Sequence, residues 1–171
     1  GLGFAFVLDL SAQGERFQRD SLYSEAKSCY ESALALSRRL SLPYEEAKAI
    51  SNLGRLALAR GDYEDALTRM KQALAIFRRL GALLDIVAVY RDMTLLFLTQ
   101  GDYLRAEEMA LLRQRQARVL GHADLNLLAL ADLAECEART GRREEARADY
   151  AHALRQVQKD GDRIPSSTLR Q

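Results

Sequence analysis

Cysteine and proline are scarce in this chain of 171 residues, and tryptophan is absent. The two cysteines, Cys29 and Cys136, lie far apart and outside any C-x-x-C pattern, which excludes a disulfide framework. Every apolar run is shorter than the ~20 residues that a membrane-spanning helix needs. Lys and Arg number 25 against 24 Asp and Glu, so the net charge of +1 gives no electrostatic reason to bind nucleic acid or an anionic membrane. These features predict a cytoplasmic protein.

The composition favours helix along nearly the whole chain. Apolar residues make up 48% and charged residues 29% of the sequence, which is too apolar and too nearly neutral for a disordered chain. Ala, Leu, Arg and Glu are abundant, and all four are good helix formers. The length fits one domain.

The residues repeat at an interval of forty. The repeated positions are Ala26, Ala66, Ala106 and Ala146; Gly61, Gly101 and Gly141; Tyr23, Tyr63 and Tyr103; and Leu40, Leu80 and Leu120. Agreement at so many independent positions predicts an array of repeated structural units. The recurring alanines are expected where two helices pack closely, because a methyl group allows the backbones to approach.

Within each unit, apolar residues recur at three-to-four spacing on both sides of a break, which predicts two helices. The predicted helices span 3–20, 22–40, 43–60, 63–80, 83–100, 103–120, 123–140 and 143–159. The predicted repeats are 3–40, 43–80, 83–120 and 123–160, and the polar residues 161–171 are expected to be a tail or a linker. Ser41-Leu42-Pro43 predicts a capped helix start with proline in the first turn.

Four short motifs in the second unit resemble the tetratricopeptide repeat (TPR): Asn52-Leu53-Gly54, Gly61-Asp62-Tyr63, Ala66 and Ala73-Leu74. The unit is forty residues long instead of about thirty-four, and the usual closing proline is absent. Such long copies resemble the repeats of kinesin light chain and LGN-type scaffolds, and still more the sensor regions of bacterial LuxR-type and SARP-type transcription regulators. The resemblance implies an all-α, right-handed solenoid of four helical hairpins. It also implies a non-enzymatic module that binds a protein or peptide as the sensing or scaffolding part of a larger bacterial protein.

The resemblance further places a binding groove on the first helix of each hairpin. The expected groove residues are Lys48, Asn52, Arg55, Arg91, Leu95, Leu98, Glu135 and Arg139. Asn52 holds the position where TPR domains use an amide to bond a peptide backbone, and the basic residues around it are expected to hold a carboxylate. The two leucines are expected to form an apolar floor. A solvated groove with surface ion pairs remains the open alternative.

Motifs for catalysis or for a cofactor are missing. The sequence contains no H-E-x-x-H, no glycine-rich phosphate loop and no G-x-S-x-G. Cys29 and Cys136 are expected to be buried, unreactive thiols. We therefore expect no enzyme, no metal site and no cofactor. Arginines near the ends of the second helices, Arg113 among them, could form a basic ridge, but acids at the opposite helix ends balance them, and helix-dipole stabilisation and solubility are the preferred explanation.

The ends of the sequence suggest a second function. The chain begins with Gly1 instead of Met, so we expect a piece of a longer protein. The apolar start of the first helix suits burial against a preceding element or a second copy of the chain. Phe4 and Phe6 are therefore candidates for self-association, with a homodimer as the alternative to peptide binding.

Overall fold

The computed structural model describes residues 1–142 together with 144, 148, 151, 154 and 155, and these residues form α-helices joined by short turns. The helices are α1 (Leu2–Arg19), α2 (Tyr23–Arg39), α3 (Pro43–Ala59), α4 (Tyr63–Leu80), α5 (Leu83–Thr99), α6 (Tyr103–Leu120) and α7 (Ala123–Arg139). The starts of α2, α4 and α6 are forty residues apart, and so are those of α3, α5 and α7. The structure thus confirms the forty-residue repeat and the all-α fold class. The predicted eighth helix, 143–159, falls largely outside the described residues, and the predicted tail, 161–171, falls wholly outside them.

Two compact units divide the chain, Gly1–Asp92 and Met93–Gln171. In the first unit, α1 packs against α2 and α3 against α4 as hairpins, and α2 also packs against α3. In the second unit, α6 packs against α7. The predicted hairpin packing is therefore present in the first unit, whereas α6 and α7 belong to neighbouring predicted hairpins and pack against each other as α2 and α3 do.

Small residues allow the helices of the first unit to pack closely, as the sequence predicted. Ala26 is fully buried and packs with Tyr30, Leu53 and Leu56. A Cβ atom on Gly14 would lie only 2.5 Å from Cε1 of Tyr30, so glycine is required for that ring to pack against α1. The repeated Ala66 and Ala106 are also fully buried.

The turns differ in one respect from the prediction. Ser41 does not cap α3, because Leu42 occupies the N-cap position and makes no side-chain hydrogen bond there. Ser41 instead has φ 53°, the left-handed conformation that Gly81 adopts at the equivalent turn with φ 66°. Pro43 does begin α3, as expected. The predicted helix ends were otherwise wrong by one residue at most in the described helices.

Two side chains lie elsewhere than expected. Arg113 is not part of a basic ridge, because it is only 4% exposed and pairs with Asp132 of α7. Cys136 is fully buried as predicted, whereas Cys29 is only half-buried. Burial, with nearby carboxylates adding to it, raises the pKa of the Cys136 thiol to about 12, which makes it unreactive at neutral pH.

Candidate functional site

A cavity of about 200 Å³ opens between α1, α3 and α5 within the first unit. We call it the α1–α3–α5 pocket, and its lining residues are Glu15, Lys48, Ser51, Asn52, Arg55, Phe77, Asp85, Ala88 and Asp92. Three of the expected groove residues, Lys48, Asn52 and Arg55, therefore come together here. They do so because they lie three to four residues apart on α3 and so share one face of that helix.

Asn52 is held by Arg55, one turn further along α3. Nη2 of Arg55 donates a hydrogen bond of 2.6 Å to Oδ1 of Asn52. A guanidinium can only donate, so the amide must turn its oxygen toward Arg55 and its nitrogen away from it. Asn52 is only 4% exposed. Neither its Nδ2 nor Nε of Arg55 has a hydrogen-bond acceptor in the described part of the chain.

The pocket therefore contains two buried nitrogens, Nδ2 of Asn52 and Nε of Arg55, whose N–H groups have no acceptor in the described residues. A buried polar group without a partner costs about 1–3 kcal/mol, so an acceptor oxygen from a ligand would relieve a real penalty. Both nitrogens are covered in the free protein. Contact with a ligand therefore requires a side-chain rotation of the kind that commonly accompanies binding.

Phe77 of the pocket lining belongs to an aromatic pair. The Tyr44 ring packs edge-on against Phe77 at a centroid distance of 6.0 Å, and the ammonium of Lys48 lies 5.9 Å from the Tyr44 centroid. The Tyr44 hydroxyl donates a hydrogen bond of 3.1 Å to Oδ2 of Asp85. Burial, followed by the charge of Asp85, raises the pKa of Tyr44, which keeps the hydroxyl protonated as a donor.

Arg91 does not line the pocket. It is exposed, and Nη2 lies 2.9 Å from Oδ1 of Asp92, its neighbour in sequence. Asp92 itself is buried and does line the pocket. The basic group expected from Lys48, Arg55 and Arg91 is thus divided: one arginine is bonded to Asn52 and the other to Asp92.

The remaining expected groove residues belong to the second unit. Leu95 is 54% exposed and Leu98 is half-buried. On α7, Arg139 and Glu135 form an ion pair of 3.6 Å with both side chains more than half exposed. These side chains are accessible on their own unit, as a contact surface requires.

The sequence argument did not identify Phe77, Asp85 or Ala88 as part of the site. For Asp85 and Ala88 a signal was available, because Asp85, Ala88 and Asp92 are three and four residues apart and therefore share one face of α5. For Phe77 none was available, since an aromatic residue in the apolar stripe of α4 is indistinguishable from ordinary core.

The two phenylalanines proposed for self-association are both exposed, Phe4 by 43% and Phe6 by 57%. At ~100° per residue they point about 160° apart on α1. Phe6 shares its face with Leu2, which is 93% exposed. Phe4 shares its face with Glu15 of the pocket. A single contact with a second copy of the chain therefore cannot bury both phenylalanine rings.

None of the described helices combines the length and the apolar character needed to cross a membrane.

The sequence matches the tetratricopeptide repeat model over residues 10–79 and 45–112, which together cover more than half of the chain. No curated protein matches it. Among solved structures, BtubC (BKLC) from P. vanneervenii superposes with a TM-score of 0.80 at 22% identity, covering 94% of this chain and 66% of that one. The apo form of RapI superposes with a TM-score of 0.80 at 17% identity, and the match covers 98% of this chain and 47% of RapI. Aspartyl phosphate phosphatase F from Bacillus subtilis superposes with a TM-score of 0.64 at 16% identity, and the match covers 87% of this chain and 48% of the phosphatase.

These structural similarities, all below 25% identity, concern the fold alone. This chain spans 66% of the length of BtubC and 47% of the length of RapI. The first of the two matches, over residues 10–79, covers most of the α1–α2 and α3–α4 hairpins. The chain belongs to the tetratricopeptide repeat family.

Proposed function

We propose that this chain is a non-enzymatic binding module that takes up an extended peptide or protein segment in the α1–α3–α5 pocket. TPR repeats are protein-interaction scaffolds, and an extended segment exposes the main-chain groups that a polar pocket can bond. The observation that carries the proposal is the buried Asn52 amide. Its oxygen is occupied by Arg55, and its Nδ2 lacks an acceptor.

A main-chain carbonyl of the bound segment is the acceptor that fits this nitrogen. Every residue of a ligand offers such a carbonyl, so Asn52 contributes affinity without demanding one sequence. Lys48 and Arg55 line the same pocket and extend its polar surface. Arg91 joins the proposed site indirectly, through its ion pair with Asp92.

In the second unit, we propose that the accessible side chains of Leu95, Leu98, Glu135 and Arg139 contact the same or another protein segment. Their exposure supports this. The finer role we propose is that of a sensing or scaffolding part of a larger bacterial protein in the cytoplasm. The resemblance of the forty-residue units to the sensor regions of bacterial transcription regulators supports it.

A random library of peptides about twelve residues long, displayed on phage, tests the proposed pocket. The immobilised chain is expected to enrich peptides that bind it, and Asn52→Ala is expected to weaken the enriched peptides by about tenfold while the helical circular dichroism stays unchanged. The matched control is Asn126→Ala on α7, in the second unit. If no peptide is enriched, or if the two substitutions weaken binding equally, the proposed function is wrong.

Self-association is the second candidate, and the exposed Leu2 and Phe6 on one face of α1 favour it. Light scattering across a roughly hundredfold concentration range tests it by mass action. A dimer through this face is expected to dissociate on dilution and to be abolished by Phe6→Glu, while Phe4→Glu leaves it intact. A constant monomer mass would eliminate this candidate.

A further inference from the structure

The α1–α3–α5 pocket contains more acidic than basic side chains. Its carboxylates are Glu15, Asp85 and Asp92, and its cations are Lys48 and Arg55. Within the described residues, neither Glu15 nor Asp85 forms an ion pair. Asp85 accepts the neutral hydroxyl of Tyr44, while Asp92 is paired with Arg91 from outside the pocket.

The two cations of the pocket form no ion pair with its carboxylates. The guanidinium of Arg55 donates to the oxygen of Asn52, and no carboxylate lies within ion-pair distance of it. The Lys48 ammonium lies over the Tyr44 ring and likewise forms no ion pair among the described residues. Because Arg91 pairs with Asp92, the carboxylates of the lining without an ion pair among the described residues are Glu15 and Asp85. On the α5 side of the pocket both charged lining residues are carboxylates and Asp85 has no ion pair, so electrostatic complementarity there favours a ligand that brings a cation.

The face of α5 in the pocket has room for a long side chain. Asp85 and Asp92 are two turns apart on that face, about 10 Å along the helix axis. Ala88 lies between them and offers only a methyl group. The Phe77 ring also lines the pocket. Small apolar and aromatic groups in the same lining as two carboxylates suit the methylenes and the charged end of a Lys or Arg side chain.

We infer that the bound segment carries a Lys or Arg residue whose side chain lies over Ala88 between Asp85 and Asp92, beside the main-chain carbonyl that accepts from Asn52. This inference rests on the proposed function and adds the chemical class of the ligand. Asn52 recognises the backbone, and the two carboxylates of α5 select one basic side chain. The alternative is a carboxylate held by the basic residues, as expected from the sequence.

The peptides enriched from the same random library provide the test. We expect Lys or Arg at one fixed position of the enriched peptides. Replacing that residue with norleucine in a synthetic fluorescent peptide is expected to weaken binding by about tenfold or more, and added salt to weaken it further. Asp85→Asn is expected to reduce the difference in affinity between the two peptides. Glu64→Gln, which removes one exposed charge on α4, is expected to leave it intact.

Asp92 is buried, so Asp92→Asn is informative only if the variant unfolds at the same temperature as the wild type. Asp85 is half-buried, so Asp85→Asn tests the inference whatever the result for Asp92→Asn. Enriched peptides that lack a basic residue, or that carry Asp or Glu instead, would overturn this inference. The proposed function would still hold if such peptides lost affinity on Asn52→Ala. A library from which nothing is enriched overturns both.

Discussion

Arg55 orients the amide of Asn52: its Nη2 lies 2.6 Å from Oδ1, one turn earlier on α3. Because the guanidinium has no acceptor, this contact permits only one orientation of the amide. Asn52 therefore presents a donor and not a donor–acceptor pair. From its place in the TPR repeat alone, Asn52 is predicted to offer a ligand both its oxygen as acceptor and its nitrogen as donor.

Replacing Arg55 with methionine keeps the apolar stem of the side chain but releases the Asn52 oxygen. We expect Arg55→Met to weaken an enriched peptide by about tenfold, because the amide loses its fixed orientation and the pocket loses a donor. Fluorescence anisotropy measures the affinity. Arg60→Met, at the exposed C-terminal cap of the same helix, controls for the loss of one positive charge. Equal affinities for the two variants would contradict the orienting role of Arg55.

Gly14 and Gly54 both lie inside first helices, but their surroundings differ. A Cβ on Gly14 would lie 2.5 Å from Cε1 and 2.8 Å from Cδ1 of the buried Tyr30 ring. The ring cannot easily move away, because its hydroxyl also donates a hydrogen bond of 3.0 Å to Gln18. We expect Gly14→Ala to lower the free energy of unfolding by about 1–2 kcal/mol, since overpacking outweighs the gain in helix propensity.

Gly54→Ala is the matched control for this substitution. Its nearest neighbours would be Cβ of Arg69 and Cγ of Met70, both at 3.3 Å, a much longer approach than the 2.5 Å at Gly14. We expect its unfolding free energy to stay within about 0.5 kcal/mol of the wild type, because improved helix propensity offsets the tight contact. Urea unfolding followed by circular dichroism gives both values. Equal stability of the two variants would show that Tyr30 does not require Gly14.

In the second unit, Arg113 is buried and bonded to Asp132 and to the carbonyl oxygen of Leu128. We expect Asp132→Ala to lower the free energy of unfolding by about 3 kcal/mol or more, because it removes a carboxylate partner from a buried guanidinium. Glu135→Ala, which breaks only the exposed pair with Arg139, is expected to cost less than about 0.5 kcal/mol. Similar losses in the two variants would mean that the Arg113 side chain is hydrated.

The Cys136 thiol is expected to make the free energy of unfolding decrease with pH in the alkaline range. Burial raises the pKa of its thiol from 9.0 to about 12. The unfolded chain loses this proton near pH 9 whereas the folded chain keeps it, so rising pH favours unfolding in the interval between the two pKa values. We expect the free energy of unfolding to fall between pH 9 and pH 10 by about 1 kcal/mol more in the wild type than in Cys136→Ala. Parallel pH profiles would contradict the shift.

The forty-residue register made the helices predictable, since every described helix begins within one residue of its expected position. Ser41 shows where this reasoning stops. Its place in the register is that of Gly81, a left-handed turn residue, but serine is also a common N-cap residue, and the local sequence Ser41-Leu42-Pro43 predicts that role. The repeat register predicts a left-handed turn residue at this position and the local sequence predicts an N-cap. The structure shows the left-handed turn.

Charge pairing was the least predictable feature of the candidate site. Spacing along α3 correctly grouped Lys48, Asn52 and Arg55, because helical periodicity alone fixes a shared face. It could not show that Arg91 bonds to Asp92, since a long side chain chooses its partner by distance in the folded protein. For Arg113 a signal existed: it stands forty residues after Ala73, which is fully buried.

Chemical-shift mapping by NMR tests the central claim most directly. The isotope-labelled chain is titrated with an enriched peptide, and both the backbone amides and the Asn52 side-chain NH2 are followed. We predict that the largest shifts fall on the lining of the α1–α3–α5 pocket and that the Asn52 NH2 signals move as it gains an acceptor. An unchanged Asn52 side-chain signal, with shifts gathered instead around Leu2 and Phe6, would contradict the account.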